Sequence, residues 1–246
     1  MPRNFKLTVE YDGSRYHGWQ RQPEDPSIQA EIEKALAVMT RQPVILIGSG
    51  RTDAGVHALG QVANFHSDTR IPPEALQKGL NSLLPDDIVI RACAVVDDAF
   101  HARFDVKSKI YNYTILNRTL PSALERDYVW WVRAALNREA MKQAMLSLMG
   151  EHDFSAFEGT GSPRAHSVRR MLSVWMSFPN ADKITLTFEA NGFLRYMVRN
   201  IVGTLIEVGR GKITAEDFAD ILASRNRARA GATAPPQGLC LMEVCY

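Results

Sequence analysis

The order of apolar patterns in the first hundred residues constrains the fold more than any other feature of the sequence. FKLTVEY (5–11) alternates apolar and polar side chains, as a half-buried strand does. SIQAEIEKALAVM (27–39) carries apolar residues at helical spacing, and Ser27 stands where an N-cap is expected. The following patterns predict strands at 44–48 and 61–66, a helix at 72–84 and a strand at 88–96. The order β-α-β-β-α-β predicts a ferredoxin-like or RRM-like unit, with helices on one face of an antiparallel sheet.

Most of this order recurs in the rest of the chain. The patterns predict a strand at 109–116, a helix at 137–150, strands at 169–178 and 184–190, a helix at 193–209 and a last strand at 239–246. No sequence repeat joins the two parts, so the duplication rests on element order alone. We therefore expect an α+β protein with two halves, residues 1–104 and 105–246, packed over a shared cleft.

Composition excludes several classes of protein. The three cysteines have no CxxC spacing, which argues against a disulfide framework and a zinc site. No apolar stretch approaches the ~18–20 residues of a membrane-spanning helix. The N-terminus leads directly into a strand pattern rather than an export signal, so we expect a cytoplasmic protein that does not bind membranes.

The charge is nearly balanced, at +2, but the basic residues comprise 21 arginines and only 8 lysines. Arginine binds phosphate through two parallel hydrogen bonds, although a GC-rich genome gives the same bias. Seven basic residues lie between Arg195 and Arg229, diluted by four acids. This stretch is either a solvated helix face or part of a groove that follows phosphates.

The most unusual local sequence is the loop GSGRTDAGVHALGQ, residues 48–61. Its four glycines permit close approach of another backbone or a ligand, and Arg51 and Asp53 lie two residues apart within it. No GK[ST] follows the glycines, which excludes a P-loop, and no helix begins where a dinucleotide site requires one. From spacing alone, Asp53 is either a turn residue with Arg51 as its surface partner or part of a charged functional site.

Two further segments offer chemistry. The helix predicted at 193–209 is apolar over most of its circumference, yet Arg199 lies in its middle and requires an anionic partner or a route to water. Arg195, four residues earlier, is expected on the same face. In the strand KIYNYTIL, Tyr111 and Tyr113 share one face, as core residues or as rings that can stack on a base. The six histidines form no metal-binding spacing, so we expect metal-free chemistry.

At GSGRTDAGVHA the sequence resembles the tRNA pseudouridine synthase A (TruA) family. Further segments that resemble the family occur in its order and cover nearly the whole chain: YDGSRYHGWQRQP, HARFDVKSKIYNY, GEHDFSAF, NGFLRYMVRNIVGTL and APPQGLCL. Ser49 stands where the family often has alanine, and Arg195-Tyr196 stands where aromatic residues or histidine are common. The resemblance implies a pseudouridine synthase fold, two halves with antiparallel sheets around a central basic cleft.

The resemblance also implies an activity and its residues. Members isomerise uridine to pseudouridine at positions 38, 39 and 40 of the tRNA anticodon stem-loop, as homodimers and without a cofactor. Asp53 is then the catalytic nucleophile, Tyr111 stacks under the target base, Arg199 pairs with the aspartate and Arg51 assists base flipping. The chemistry is consistent with these roles, since breaking a C–N glycosidic bond requires a carboxylate near the anomeric carbon and a means of holding the freed base.

Two alternatives stay open on chemical grounds. The reaction can pass through a covalent adduct of Asp53 or through a glycal formed by loss of the 2′ proton. A non-catalytic RRM-like RNA-binding protein is the competing function, although the strands lack evident RNP aromatics. A retaining glycoside hydrolase is disfavoured because no second acid accompanies Asp53.

Overall fold

The computed structural model describes residues 2–159, 161 and 166–246. The chain divides into two compact units: the first contains residues up to Lys107 together with Cys240–Tyr246, and the second contains Ser108–Leu239. The strands are β1 (Arg3–Tyr11), β2 (Ile47–Gly48), β3 (His57–Ser67), β4 (Ile88–Val96), β5 (Ser108–Asn117), β6 (Trp130–Val132), β7 (Gly150–Asp153), β8 (Val168–Asn180), β9 (Lys183–Ala190) and β10 (Leu239–Cys245). The helices are α1 (Ile28–Thr40), α2 (Pro73–Leu83), α3 (Arg138–Leu146), α4 (Met197–Gly209) and α5 (Ala215–Ser224), with short 3-10 turns at 155–157, 227–229 and 236–238.

The first unit has the predicted β-α-β-β-α-β order and the strand arrangement of a ferredoxin-like sheet. β1 lies between β4 and β3 and is antiparallel to both, while β2 pairs with β3 on its other side. Alternate residues of β1 are fully buried, as are the apolar stripes of α1 and α2. This is the burial that the period-two and period-3.6 patterns predict.

The second unit is built on an antiparallel sheet in the order β5-β9-β8-β7, with the short β6 parallel to β5. α4 is buried on most sides: all but two of its thirteen residues are buried. α5 begins with a reciprocal capping box, in which the Thr214 side chain accepts from the Asp217 amide and the Asp217 carboxylate accepts from the Thr214 amide.

The compact units differ from the expected division into 1–104 and 105–246. The boundary follows Lys107, and Cys240–Tyr246 belongs to the first unit. The reason is that β10 pairs in parallel with β3, with Cys240 opposite His57 and Leu241 opposite Ala58. Sequence order cannot show which sheet accepts a terminal strand.

Several predicted elements are wrong in extent. The strand expected at 44–48 is reduced to two residues, and Ile45 is 75% exposed. The helix expected at 193–209 begins only at Met197, since Tyr196 has a left-handed backbone with φ of 61°. Ser27 precedes α1 but its side chain does not cap it. β6, β7 and α5 were not predicted. Within the part of the chain that the structure describes, no helix is long and apolar enough to cross a membrane.

Candidate functional site

The loop that carries Arg51 and Asp53 connects β2 to β3 and is fixed at both ends. At its start, the Ser49 hydroxyl lies 2.6 Å from Gln61 Oε1, and Gln61 Nε2 donates to the Gly50 carbonyl at 3.1 Å. At its end, the Val56 amide donates to the Asp53 carbonyl at 3.2 Å, and Gly55 has a φ of 76°. Asp53 therefore opens a tight turn that glycine makes possible, with its side chain half-buried.

A second segment, residues 12–20, holds this loop from the side. The Trp19 amide donates to the Thr52 carbonyl at 3.2 Å, and the hydroxyl of Tyr11, the last residue of β1, lies 2.8 Å from the Thr52 hydroxyl. The Gly55 amide donates to the Tyr16 carbonyl, also at 3.2 Å. Burial raises the pKa of the Tyr11 phenol, so it stays neutral near pH 7. These bonds fix the backbone on both sides of Asp53.

The fit between the two segments requires glycine. Gly18 has a φ of 94°, and a β-carbon built on it would lie 2.5 Å from the Thr52 carbonyl oxygen and 3.1 Å from the Asp53 carbonyl carbon. On Gly13, a β-carbon would lie 2.1 Å from the Val56 carbonyl oxygen. Real β-carbons do not approach backbone so closely, so positions 13 and 18 must be glycine for the two segments to pack at these distances.

Segment 12–20 is anchored in turn by Asp87, which lies just before β4. The Tyr16 hydroxyl donates to Asp87 Oδ1 at 2.6 Å, and Arg15 Nε donates to Asp87 Oδ2 at 2.9 Å. The Gly13 amide donates to His57 Nδ1 at 3.1 Å. Burial, with a contribution from the Asp87 carboxylate, raises the pKa of Tyr16. The sequence motif YDGSRYHGW is thus the support of the Asp53 turn, a role that the sequence alone does not reveal.

Arg51 lies at the surface of the same loop. Its side chain is exposed, and its Nε donates to Gln20 Oε1 at 2.9 Å. This bond sets the direction of the guanidinium, because it fixes one of the nitrogens in the planar group. Segment 12–20 therefore orients Arg51 through the Gln20 side chain and supports Asp53 through backbone contacts.

Tyr111 lies in β5, on the face that it shares with Tyr113. It is 8% exposed and meets the Phe193 ring edge-on, with centroids 5.0 Å apart. Tyr113 is fully buried and donates to the Pro235 carbonyl at 2.7 Å. Burial raises the pKa of Tyr113, and the nearby Arg199 charge opposes that shift. The two tyrosines therefore differ: Tyr113 is held in the core by its hydroxyl, while the ring of Tyr111 is framed by Phe193.

Arg199, in the first turn of α4, is half-buried. Its Nε donates to the Ala234 carbonyl at 2.8 Å, and its guanidinium lies 4.9 Å from the Tyr196 ring centroid. The expectation that Arg195 shares a helical face with it is wrong, because Arg195 precedes the helix. The Arg195 guanidinium instead lies 4.7 Å from the same ring, so Tyr196, rather than helical spacing, brings the two cations together.

Much of the basic stretch between Arg195 and Arg229 has structural partners. Arg210 and Lys212 pair with Glu207 at 3.1 and 2.7 Å, and Arg225 pairs with Asp153 at 3.4 Å. Burial lowers the pKa of Arg227, whose guanidinium donates to Asn200 Oδ1 and to the Gly231 carbonyl, each at 3.0 Å. Asn200 is fully buried and also accepts from Thr233. These four cations therefore make contacts that stabilise the second unit.

The four residues singled out in the sequence fall into two pairs. Arg51 and Asp53 share one loop of the first unit, and Tyr111 and Arg199 lie in the second. That the two pairs form one site stays a prediction. Within the described residues, no three His, Cys, Asp or Glu side chains are grouped as a metal site would require.

Comparisons with known proteins identify the family. Residues 7–105 and 144–246 match the model of a family described as tRNA pseudouridine synthase. The chain is 49% identical over 244 residues to "tRNA pseudouridine synthase A" of Thermoanaerobacter sp. (strain X514), which covers 99% of this chain and 100% of that protein. It is 50% identical over 246 residues to the protein of the same name from Acetivibrio thermocellus, with 99% and 100% covered.

Two further comparisons have lower sequence identity. The "tRNA pseudouridine synthase A" of Myxococcus xanthus is 46% identical over 246 residues, covering 100% of this chain and 92% of that protein. A chain in the crystal structure of a Cbf5-Nop10-Gar1 complex aligns with a TM-score of 0.40 and 11% identity, over 96% of this chain and 57% of that one; so weak a likeness bears on neither fold nor function. By the family model and the identity to its relatives, the chain belongs to the tRNA pseudouridine synthase family, whose members are isomerases that act on tRNA.

Proposed function

We propose that this protein isomerises uridine to pseudouridine at positions 38, 39 and 40 of the tRNA anticodon stem-loop, with Asp53 as the nucleophile. One observation carries the assignment of Asp53: in a chain of this family, segment 12–20 holds its turn through close glycine contacts and through the hydrogen bonds of Thr52 and Gly55. A turn whose backbone is held so firmly, with a half-buried carboxylate, is preorganised for attack on a bound substrate.

Asp53 acts at the anomeric carbon of the target uridine. As a carboxylate it stabilises the positive charge that develops when the C–N glycosidic bond breaks, or forms a covalent adduct there. The detached uracil then turns and rejoins the sugar through C5, and the C5 proton is lost while N1 gains one. Because substrate and product have the same atoms, the isomerisation needs no oxidant, reductant or cofactor.

The other three residues hold the substrate. Tyr111 offers an aromatic ring on which the base stacks while it is detached, framed by Phe193 at 5.0 Å. Arg199 supplies a positive charge, with its Nε fixed by the Ala234 carbonyl, as the proposed basic partner of Asp53. Arg51, exposed beside Asp53, enters the stem and takes the place of the flipped nucleotide.

The proposed partners follow from the substrate. The stem of a tRNA is recognised by shape and phosphate contacts rather than by sequence. We further propose a homodimer in the cytoplasm, in which the tRNA contacts both subunits.

The test is to incubate the protein with unmodified tRNA transcripts and to map pseudouridine by carbodiimide primer extension. The wild type should modify positions 38, 39 and 40, and Asp53→Asn should form no product while its Kd for tRNA changes less than about threefold. Asp68→Asn, which removes an exposed carboxylate after β3, is the charge-matched control and should keep wild-type turnover. Turnover by Asp53→Asn near the wild-type rate would reject the nucleophile. Binding without product in the wild type would favour the non-catalytic RNA-binding alternative.

A further inference from the structure

The turn between β4 and β5 has an organisation that the proposed reaction does not use. In residues 101–105, the amides of Phe104 and Asp105 donate to the His101 carbonyl at 3.2 and 3.1 Å. The Asp105 carboxylate accepts from the His101 amide at 2.8 Å. His101 Nδ1 accepts from the Arg103 amide at 3.1 Å. Every one of these bonds closes the turn on itself, so its backbone has one defined shape.

Buried groups attach this turn to the sheet. The Ala102 amide donates to Asn64 Oδ1 at 2.9 Å, and the Tyr246 hydroxyl donates to the Ala102 carbonyl at 2.7 Å. Asn64 is 1% exposed and donates in turn to Asn4 Oδ1 on the neighbouring strand. Ala102 itself is fully buried. The turn is therefore anchored at its second residue, and the residues that follow project from the anchor.

The turn exposes the aromatic ring of Phe104. Phe104 is 73% exposed, and its ring stacks on the His101 imidazole with centroids 4.2 Å apart and an angle of 29°. The Arg103 guanidinium lies 5.6 Å from the same ring. An exposed apolar residue is ordinary by itself, but this ring is held by a stacking partner on an anchored turn. The arrangement matches a platform on which a further planar group can stack.

We propose that the His101–Phe104 stack is a platform for an unpaired nucleobase of the RNA substrate, with Arg103 contacting an adjacent phosphate. The inference rests on the proposed function, which makes RNA the partner. RNA-binding proteins recognise unstacked bases by aromatic side chains of this kind, and an arginine beside the ring adds both stacking and phosphate binding.

The platform lies far along β3 from the Asp53 turn. Its anchor, Asn64, lies seven residues along β3 from His57, and His57 follows the Asp53 turn, so about 23 Å of strand separates them. The stacked base is therefore not the base that is isomerised. The platform should contribute to tRNA affinity and leave the chemical step unchanged.

The experiment compares Phe104→Ala, Phe104→Trp and wild type for binding of an unmodified tRNA transcript across a series of salt concentrations. Phe104→Ala should raise Kd about tenfold, since base–aromatic stacking is lost, without changing the slope of log Kd against log salt. Phe104→Trp should restore the wild-type Kd because it retains a stacking ring. Phe178→Ala is the matched control: Phe178 is 47% exposed and has the Arg138 guanidinium 5.0 Å from its ring, but belongs to β8. It should leave Kd unchanged.

The other outcomes overturn the inference. The inference is wrong if the Kd of Phe104→Ala lies within twofold of wild type, or if Phe178→Ala raises Kd equally. It is also wrong if Phe104→Trp does not restore the wild-type Kd. A change in oligomeric state with Phe104→Ala would instead make the ring a contact between copies of the chain. The single-turnover rate at saturating enzyme should be the same in all variants. If the wild type forms no pseudouridine, the proposed function fails, and the Kd comparison still decides whether Phe104 contacts RNA.

Discussion

Replacing Gly18 by alanine should move Asp53 without removing any group that the reaction uses. The new β-carbon would lie 2.5 Å from the Thr52 carbonyl oxygen, so the Asp53 loop must shift by roughly an ångström to reach ordinary contact distance. Gly18 cannot retreat instead, because its carbonyl accepts from the Ile28 amide at 3.3 Å, at the start of α1. A displacement of this size in a catalytic group costs on the order of a hundredfold in rate.

Gly150→Ala provides the control for strain alone. Gly150 has a φ of 95°, against 94° for Gly18, but a β-carbon there would meet only His152 Nε2, at 4.0 Å. Both variants should lose about 1–2 kcal/mol of unfolding free energy from the left-handed backbone, and Gly18→Ala should lose more because its β-carbon also displaces backbone. Only Gly18→Ala should also lose activity.

The assay is the single-turnover release of tritium from tRNA labelled at uridine C5, with urea unfolding and tRNA binding measured in parallel. We expect a rate about a hundredfold below wild type for Gly18→Ala and within twofold of wild type for Gly150→Ala, with Kd unchanged in both. If Gly18→Ala is at least as destabilised as Gly150→Ala yet turns over at the wild-type rate, segment 12–20 does not position the reacting carboxylate.

Two further predictions concern stability. Asn200→Leu leaves Arg227 and Thr233 without the oxygen that accepts from both, and should lower the unfolding free energy in urea by about 2–4 kcal/mol. Thr233→Val removes one of these two bonds and should lower it by about 1 kcal/mol. Equal losses would contradict the explanation that one oxygen serves both donors. The Ser155 hydroxyl and amide lower the pKa of Asp153, and the Arg225 charge lowers it further. The ionised carboxylate therefore stabilises the folded state at pH values above the ordinary Asp pKa. This stabilisation is lost as the pH falls through the pKa that Asp153 has in the folded protein. The stability advantage of wild type over Asp153→Asn should thus be constant near pH 7 and shrink below about pH 4, and a gap that widens on acidification would show the opposite shift.

The apolar patterns predicted the bounds of several elements closely. β4 has the bounds that its sequence predicted, 88–96, and α2 begins where Pro72 and Pro73 predict a helix start. The strand expected at 44–48 was wrong in extent because an apolar run does not reveal whether a partner strand exists; β2 pairs with β3 over only two residues. The start of α4 was wrong because the left-handed backbone of Tyr196 has no sequence signal in a residue other than glycine or asparagine.

The N-terminus of α1 explains why local capping rules failed there. Ser27 occupies the N-cap, yet among the described residues its Oγ is the buried side-chain atom that has no hydrogen-bond partner. The first amides of the helix are occupied instead by tertiary contacts, since Ile28 donates to the Gly18 carbonyl and Gln29 donates to the Trp19 carbonyl at 3.0 Å. A long-range backbone contact has taken the place of the cap.

The same contacts explain how much of the candidate site the sequence could predict. The loop of Arg51 and Asp53 stands out because glycine and charge are concentrated in it, and Arg199 because a charge interrupts an apolar helix. What fixes Asp53 does not stand out, since Trp19, Tyr16 and Gly18 act through their backbone atoms, some 35 residues away in sequence. Backbone contacts leave no side-chain periodicity to detect.

Segment 12–20 is therefore best understood as a spacer between two rigid surfaces. One side accepts hydrogen bonds from the start of α1, and the other meets the turn of Asp53, while Asp87 holds its middle through Tyr16 and Arg15. α1 packs its buried stripe in the core. The core therefore fixes the position of the Asp53 backbone through α1 and segment 12–20, and the loop that carries Asp53 does not fix it alone. The loop can then expose Arg51 to a substrate and still keep the backbone of Asp53 at a fixed place.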